Sequence, residues 1–130
     1  MDSKKRVLVA EDHPATRNLI QIVLERYGYQ VVPTPDGEAA LKACCESAPD
    51  LAILDVKMPK KTAWEVLAEL EVKNLLTTFP IIVLTASMSA DKLAARFEGI
   101  CLTLMKPFEI ESLIAAVEKC REGSRLNAGR

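Results

Sequence analysis

Hydrophobic positions along this chain fall into two alternating regimes. Short unbroken apolar runs, Val7 to Ala10, Leu51 to Leu54 and Ile81 to Leu84, stop abruptly at polar residues. Such runs, rich in β-branched side chains, predict strands buried on both faces. Between them apolar residues recur at helical spacing. Ile20, Val23, Leu24 and Tyr27 follow Pro14, tolerated in a first helical turn, and precede Gly28, a natural stop. Gln30 to Val32 reads as a short second strand. Asp36 is a candidate N-cap for a helix through Ala40, Leu41 and Cys44, broken at Pro49-Asp50. Trp64, Leu67, Ala68 and Leu70 to Val72 predict a third helix. A thinner stripe, Leu93, Ala94 and Phe97, predicts a fourth from about Ala90 to Glu98, ended by Gly99. Ile100 to Met105 is the last strand. Ile110, Leu113, Ile114 and Val117, at i, i+3, i+4 and i+7, mark the closing helix. Five strands alternating with five helices predict an α/β fold with a parallel sheet and right-handed crossovers.

Strand polarity then concentrates chemistry. In such sheets ligands bind beyond the carboxyl ends of the strands. The residues just past those ends are Glu11 and Asp12, Asp55, Thr85 and Lys106. Three carboxylates brought together repel one another and call for a cation. Hard oxygen ligands with open positions suit Mg²⁺, which often shares a phosphate. A carboxylate is also a nucleophile toward phosphorus. The Lys106 ammonium balances a phosphoryl oxygen in this scheme, and the Thr85 hydroxyl donates to another. Any one of these residues alone reads as a solvated loop or cap residue; the set, each at a strand end, points to a phosphate and metal site.

Composition narrows the class. The 130 residues are 49% hydrophobic, enough for one core without staples. A single domain is expected over residues 5–121, with a polar, flexible tail over 122–130. The net charge of -1 and pI near 5.9 argue against a nucleic-acid-coating surface. Apolar runs are too short for a membrane span, and the charged start, Met1 to Arg6, does not read as a signal peptide. A cytoplasmic protein is expected. Cys44, Cys45, Cys101 and Cys120 form no C-x-x-C pair, and His13 cannot complete a zinc set with them. All four are expected as reduced thiols.

With these residues in place, the sequence resembles the response-regulator receiver family of two-component signalling, most closely its chemotaxis-type single-domain members. The likeness rests on Val7-Leu8-Val9-Ala10-Glu11-Asp12, Leu54-Asp55-Val56-Lys57-Met58-Pro59, Thr85-Ala86 and Lys106-Pro107-Phe108, with Asp36-Gly37-Glu38-Ala39-Ala40-Leu41 resembling the second helix start. It implies a doubly wound, flavodoxin-like (βα)5 three-layer sandwich with strand order 2-1-3-4-5. It further implies that Asp55 is the phosphoacceptor for a phosphohistidine of a sensor histidine kinase or histidine phosphotransfer protein. Asp12, Asp55 and the Lys57 backbone carbonyl would hold Mg²⁺, with Glu11 acting directly or through water. Lys106 and Thr85 would contact the phosphoryl group, and the Lys106–Pro107 bond would be cis. The implied output is a docking face for a downstream protein, presenting Lys92, Arg96, Thr103 and Glu109. The chain is expected to be a monomer or weak dimer without direct nucleic-acid contact, and not a turnover enzyme.

Three departures from the family pattern involve four positions. Thr103 stands where the switch aromatic falls, so a swing of that ring is unavailable. Cys101 and Leu102 replace two acids of a common dimer face. Ala63 stands where the loop often has glycine, and would be strained if that backbone needs positive φ. The Lys57 side chain is open to two readings, a solvated residue or one that guides the hydrolytic water. His13 reads better as a cap or solvent-facing residue than as a catalyst, and Trp64 as packing. Two rival functions remain: a degenerate receiver that binds partners without phosphorylation, and an aspartyl-phosphate phosphatase. The latter usually needs an acid at the position of Lys57. No Gly-rich loop follows Ala10, which disfavours a flavin or dinucleotide binder.

Overall fold

The computed structural model describes residues 4–86 and 91–128, with side chains described through Arg121 except that of Asp91. Five strands, β1 (Arg6–Ala10), β2 (Gln30–Thr34), β3 (Leu51–Asp55), β4 (Ile81–Thr85) and β5 (Ile100–Met105), alternate with five helices. These are α1 (Pro14–Arg26), α2 (Gly37–Glu46), α3 (Ala63–Val72), α4 (Asp91–Arg96) and α5 (Ile110–Ala128). All neighbouring strands pair in parallel, in the order β2-β1-β3-β4-β5. This is the expected doubly wound topology.

Two-residue alternation divides the sheet's side chains between two cores. Leu8, Ala10, Ala52, Leu54, Ile81 and Val83 pack with α2, α3 and α4. Val7, Val9, Leu51, Ile53, Ile82 and Leu84 face α1 and α5. The central strands β3 and β4 are buried at every position. This explains why their sequences are continuous apolar runs rather than alternating ones.

Helix starts are set locally. The Asp36 side chain accepts the Ala39 N–H at 2.8 Å. Thr62 and Glu65 form a reciprocal capping box at α3. His13 caps α1 by accepting the Thr16 N–H at 3.3 Å, one of the two structural roles expected of it. Past the end of α3, Asn74 adopts φ 60°, and the Leu75 N–H reaches back to the Leu70 carbonyl at 2.9 Å.

Several boundaries differ from expectation. β2 continues through Pro33 to Thr34 because it is an edge strand, where a missing N–H is tolerated. α4 ends at Arg96 rather than Glu98, and the expected start at Ala90 lies outside the described residues. The backbone of α5 is helical through Ala128, beyond Arg121 where the sequence reading placed the domain boundary. Its composition there is dominated by ordinary helix formers, and the cost of Gly123 is only about 1 kcal/mol.

The cysteine expectation is corrected in part. Cys101 of β5 and Cys120 of α5 form a disulfide, with Cα atoms 5.8 Å apart; Cys44 and Cys45 are free. A sequence separation of 19 conceals the pairing, which depends on how α5 lies back against β5.

Candidate functional site

The carboxyl ends of β1, β3, β4 and β5 deliver the expected residues to one place. Glu11, Asp12 and Asp55 each offer a carboxylate oxygen, and these oxygens lie within 4.8 Å of one another. Glu11 is fully buried and Asp55 nearly so, whereas Asp12 is exposed. The Lys106 ammonium donates to Glu11 Oε1 at 2.6 Å and to Asp55 Oδ2 at 3.0 Å. Its backbone N–H is held by the Thr85 carbonyl at 2.7 Å, which fixes the end of β5 against the end of β4. The Lys106–Pro107 bond is cis, as the resemblance implied.

These groups border an open cavity of about 380 Å³ lined by Asp12, Asp55, Val56, Lys57, Thr85, Ala86 and Lys106. Every expected site residue is therefore at one mouth, with Glu11 beneath it. The expected role of Glu11 needs refinement. Its Oε1 is taken by Lys106, and its Oε2 accepts the His13 N–H at 3.1 Å. It acts in this arrangement as a buried anchor for the amine and for the turn into α1. Burial, the largest influence on Lys106, opposes its charge. The hydrogen bonds and charges of Glu11 and Asp55 together outweigh that and raise its pKa above the usual 10.5.

Two contributors escaped the sequence reading. The Arg17 guanidinium donates to the Glu11 carbonyl at 2.9 Å from one turn into α1, bracing the strand end that carries both acids. Gly37, at the start of α2, lets the loop after β3 approach closely. A Cβ there would lie 2.7 Å from the Lys61 carbonyl carbon and closer still to its oxygen. The Asp-Gly pair that opens α2 was visible as a helix start, but its second function depends on a contact with residues far along the chain.

In the loop between β3 and α3, the positive φ that would strain Ala63 is not required of it. That residue is buried in the first turn of α3, and its N–H reaches the Val56 carbonyl at 3.1 Å. Positive φ falls instead on Lys60, at 69°. The Lys60 ammonium lies 3.8 Å from Asp36, and that of Lys61 lies 2.7 Å from Glu69, so much of the loop's basic charge has nearby acids. The Lys57 side chain is exposed at the cavity mouth, which leaves both of its readings open. Trp64 is half-exposed and meets Phe97 edge-on at 5.8 Å, a packing role between α3 and the end of α4.

The donor set fits Mg²⁺: three clustered carboxylates with only hard oxygen atoms, one of them exposed at an open cavity. Comparison with known proteins agrees with this geometry. The family model described as "Response regulator receiver domain" matches residues 7–118. The chain is 37% identical over 125 residues to the alkaline phosphatase synthesis transcriptional regulatory protein PhoP of Bacillus subtilis, covering 95% of this chain and 51% of that one. It is 38% identical over 116 residues to the transcriptional regulatory protein PdtaR of Mycobacterium tuberculosis, covering 88% and 55%. The chain thus spans about half the length of these curated relatives. Among solved structures, the response regulator receiver domain protein of Clostridium thermocellum superposes with a TM-score of 0.81 at 27% identity, covering 94% and 98% of the two chains. The chemotaxis protein CheY4 of Vibrio cholerae gives 0.82 at 26% identity, covering 91% and 99%. The chain belongs to the response regulator receiver domain family.

Proposed function

We propose that Asp55 accepts a phosphoryl group from the phosphohistidine of a sensor histidine kinase or histidine phosphotransfer protein, and that the modified domain docks a downstream protein. The observation that carries this reading is the Asp55 carboxylate. It stands at a strand end beside the Lys106 amine, clustered with two further acids, and opens on a cavity.

A carboxylate oxygen of Asp55 forms the new bond to phosphorus while the bond from phosphorus to the histidine nitrogen breaks. The electron pair stays on the imidazole. Asp12, Asp55 and the Lys57 carbonyl would hold Mg²⁺, with Glu11 behind them. The ion supplies charge neutralisation for the phosphoryl oxygens. Lys106 exchanges its hydrogen bond to Asp55 for one to a phosphoryl oxygen, and the Thr85 hydroxyl donates to another. Positioning and charge balance suffice, because a loose phosphoryl-transfer state leaves little covalent work to the protein.

In this reading the chain is not a turnover enzyme, works in the cytoplasm and is a monomer or weak dimer. Nucleic-acid contact is not assigned to this domain. The output face would include Lys92, Arg96, Thr103 and Glu109, with phosphorylation shifting a two-state equilibrium. Thr103 in place of the family's aromatic favours a second reading, a receiver that binds partners without phosphorylation.

Incubation with acetyl phosphate and Mg²⁺, followed by intact mass, separates the two. One phosphoryl adduct is expected on the parent, none on Asp55→Asn, and none on the parent in EDTA. A parent without adduct, or an equal adduct on Asp55→Asn, refutes phosphorylation at Asp55. Decay of the adduct in Lys57→Ala tests that side chain: a rate equal to the parent's removes any role in guiding water.

A further inference from the structure

The disulfide sits on an irregularity of the sheet. Ile81 of β4 is opposite Ile100 of β5, but Ile82 is opposite Leu102, so Cys101 is an extra residue in the ladder. Bulges are rare in parallel pairs, and they re-aim side chains. Without the bulge, the strand's two-residue period would send Cys101 and Leu102 to opposite faces. With it, Leu102 packs on the core under α5, and Cys101 is bonded to Cys120 in that same core. Cys101 is exposed, whereas Cys120 is completely buried. The pair therefore joins an exposed residue of the edge strand to a buried residue of the helix.

The geometry points to Cys101 and Cys120 as a reversible redox modification site, a dithiol–disulfide couple that fastens α5 to the edge strand when oxidised. Reversibility rests on the cytoplasmic reading above, since in a reducing compartment such a bridge is a transient, sensing state rather than a permanent staple. Oxidation by a small disulfide proceeds through attack of one cysteine thiolate on that disulfide, releasing one small thiol. The second cysteine thiolate then displaces the other. Two electrons pass from the cysteine pair to the small disulfide, and the two protons leave with the released thiols. Reduction by a thiol runs in reverse, starting at exposed Cys101.

Two features set this pair apart from the remaining cysteines. Cys44 is buried, and burial pushes its thiol up to about 12, so it stays protonated and unreactive. Cys45 is exposed but lies beside Cys44 on α2 and has no bridge. The couple is also remote from the phosphate site. Cys101 is the second residue of β5 while Lys106 follows its other end, roughly 16 Å along the strand. The bridge thus acts on the anchoring of α5 and leaves the acid cluster untouched.

The test uses the full chain carrying Cys45→Ser, to prevent cross-linking between molecules. Samples equilibrated in mixtures of oxidised and reduced glutathione are acid-quenched, alkylated and weighed intact. The expected result is a joint loss of two alkylatable thiols as the mixture becomes oxidising, absent in Cys101→Ser and in Cys120→Ser. Amide exchange over residues 118–128, the part of α5 that carries Cys120, should be at least tenfold faster in the reduced form. Two free thiols in every mixture, only glutathione adducts, or a bridge that persists in excess reduced glutathione would each overturn the proposal. So would equal exchange in the two forms. Phosphorylation by acetyl phosphate is measured in both forms and should agree within twofold; a tenfold difference overturns the separation of the two sites. Absence of phosphorylation in both forms refutes only the phosphoacceptor reading, because the thiol transition is read by mass alone.

Discussion

Replacing Gly37 by alanine adds one methyl group where the chain has no room for it. The new Cβ would lie 2.7 Å from both the carbonyl carbon and the Cβ of Lys61, and nearer still to the Lys61 oxygen. Ordinary carbon contacts are about 3.5–4.0 Å, so the obstacle must retreat by roughly 1 Å. That obstacle is mainly backbone, in a loop already holding Lys60 at φ 69° and pinned by the bond from the Ala63 N–H to the Val56 carbonyl. Overpacking of this kind costs about 1–3 kcal/mol. For a domain of this size that lowers Tm by roughly 4–12 °C. The displaced loop carries Lys57 and follows Asp55 directly, so phosphorylation by acetyl phosphate should also slow. Urea unfolding without Mg²⁺ measures the first effect and adduct formation the second. Gly28→Ala is the control. A side chain there is strained by φ 93° yet would meet nothing within 4 Å, so it should lose about 1 kcal/mol with phosphorylation unchanged. A Gly37→Ala protein as stable as the parent would refute the close-approach argument. Equal slowing in Gly28→Ala would show that the effect is general destabilisation.

Other perturbations follow from the same contacts. Lys106→Met should destabilise the ion-free domain by about 3 kcal/mol, because it leaves the fully buried Glu11 carboxylate without its cation; urea unfolding with and without Mg²⁺ should show the variant gaining more from the ion than the parent does. In the native protein at pH 8, a thiol reagent should titrate Cys45 and leave Cys44 unmodified, with both reacting in denaturant. Lys60→Gly should stabilise by up to about 1 kcal/mol, relief of a left-handed backbone exceeding the added chain entropy; a loss of stability would contradict the strain. Arg96 forms two hydrogen bonds to Glu71, at 2.9 and 3.1 Å, and these hold the Glu71 carboxyl below its usual 4.5. A depressed carboxyl pKa contributes stability that is present above pH 4.5 and lost as pH falls through the lowered value. Arg96→Ala should remove that part of the acid sensitivity and, since Arg96 also stacks on Phe97, should shift Trp64 emission.

The legible parts of this fold were those governed by near neighbours in the chain. β1, β3 and β4 are read correctly because burial on both faces demands runs such as Ile81-Ile82-Val83-Leu84. The acid, hydroxyl and amine positions followed from strand direction alone, and Glu11, Asp12, Asp55, Thr85 and Lys106 do meet. What escaped depended on contacts between distant segments. Pro33 looks like a breaker until its strand is known to be an edge. Nothing local distinguishes Lys60 from Ala63 as the left-handed residue of the loop after Asp55. The bulge at Cys101 leaves the hydrophobic pattern of β5 nearly unchanged, so neither it nor the bond to Cys120 could be read from spacing. The hold of Lys106 on Glu11 likewise required knowing which side chain lies deepest.

That hold has a consequence for how the domain meets its ions. An ammonium spanning Glu11 and Asp55 is a resident counterion, present at one per molecule whatever the medium contains. A divalent cation binding at these carboxylates would therefore enter by exchange with a tethered rival rather than by filling bare negative charge. Occupancy would then answer to whatever gives the amine somewhere better to go, and a phosphoryl oxygen is one such destination.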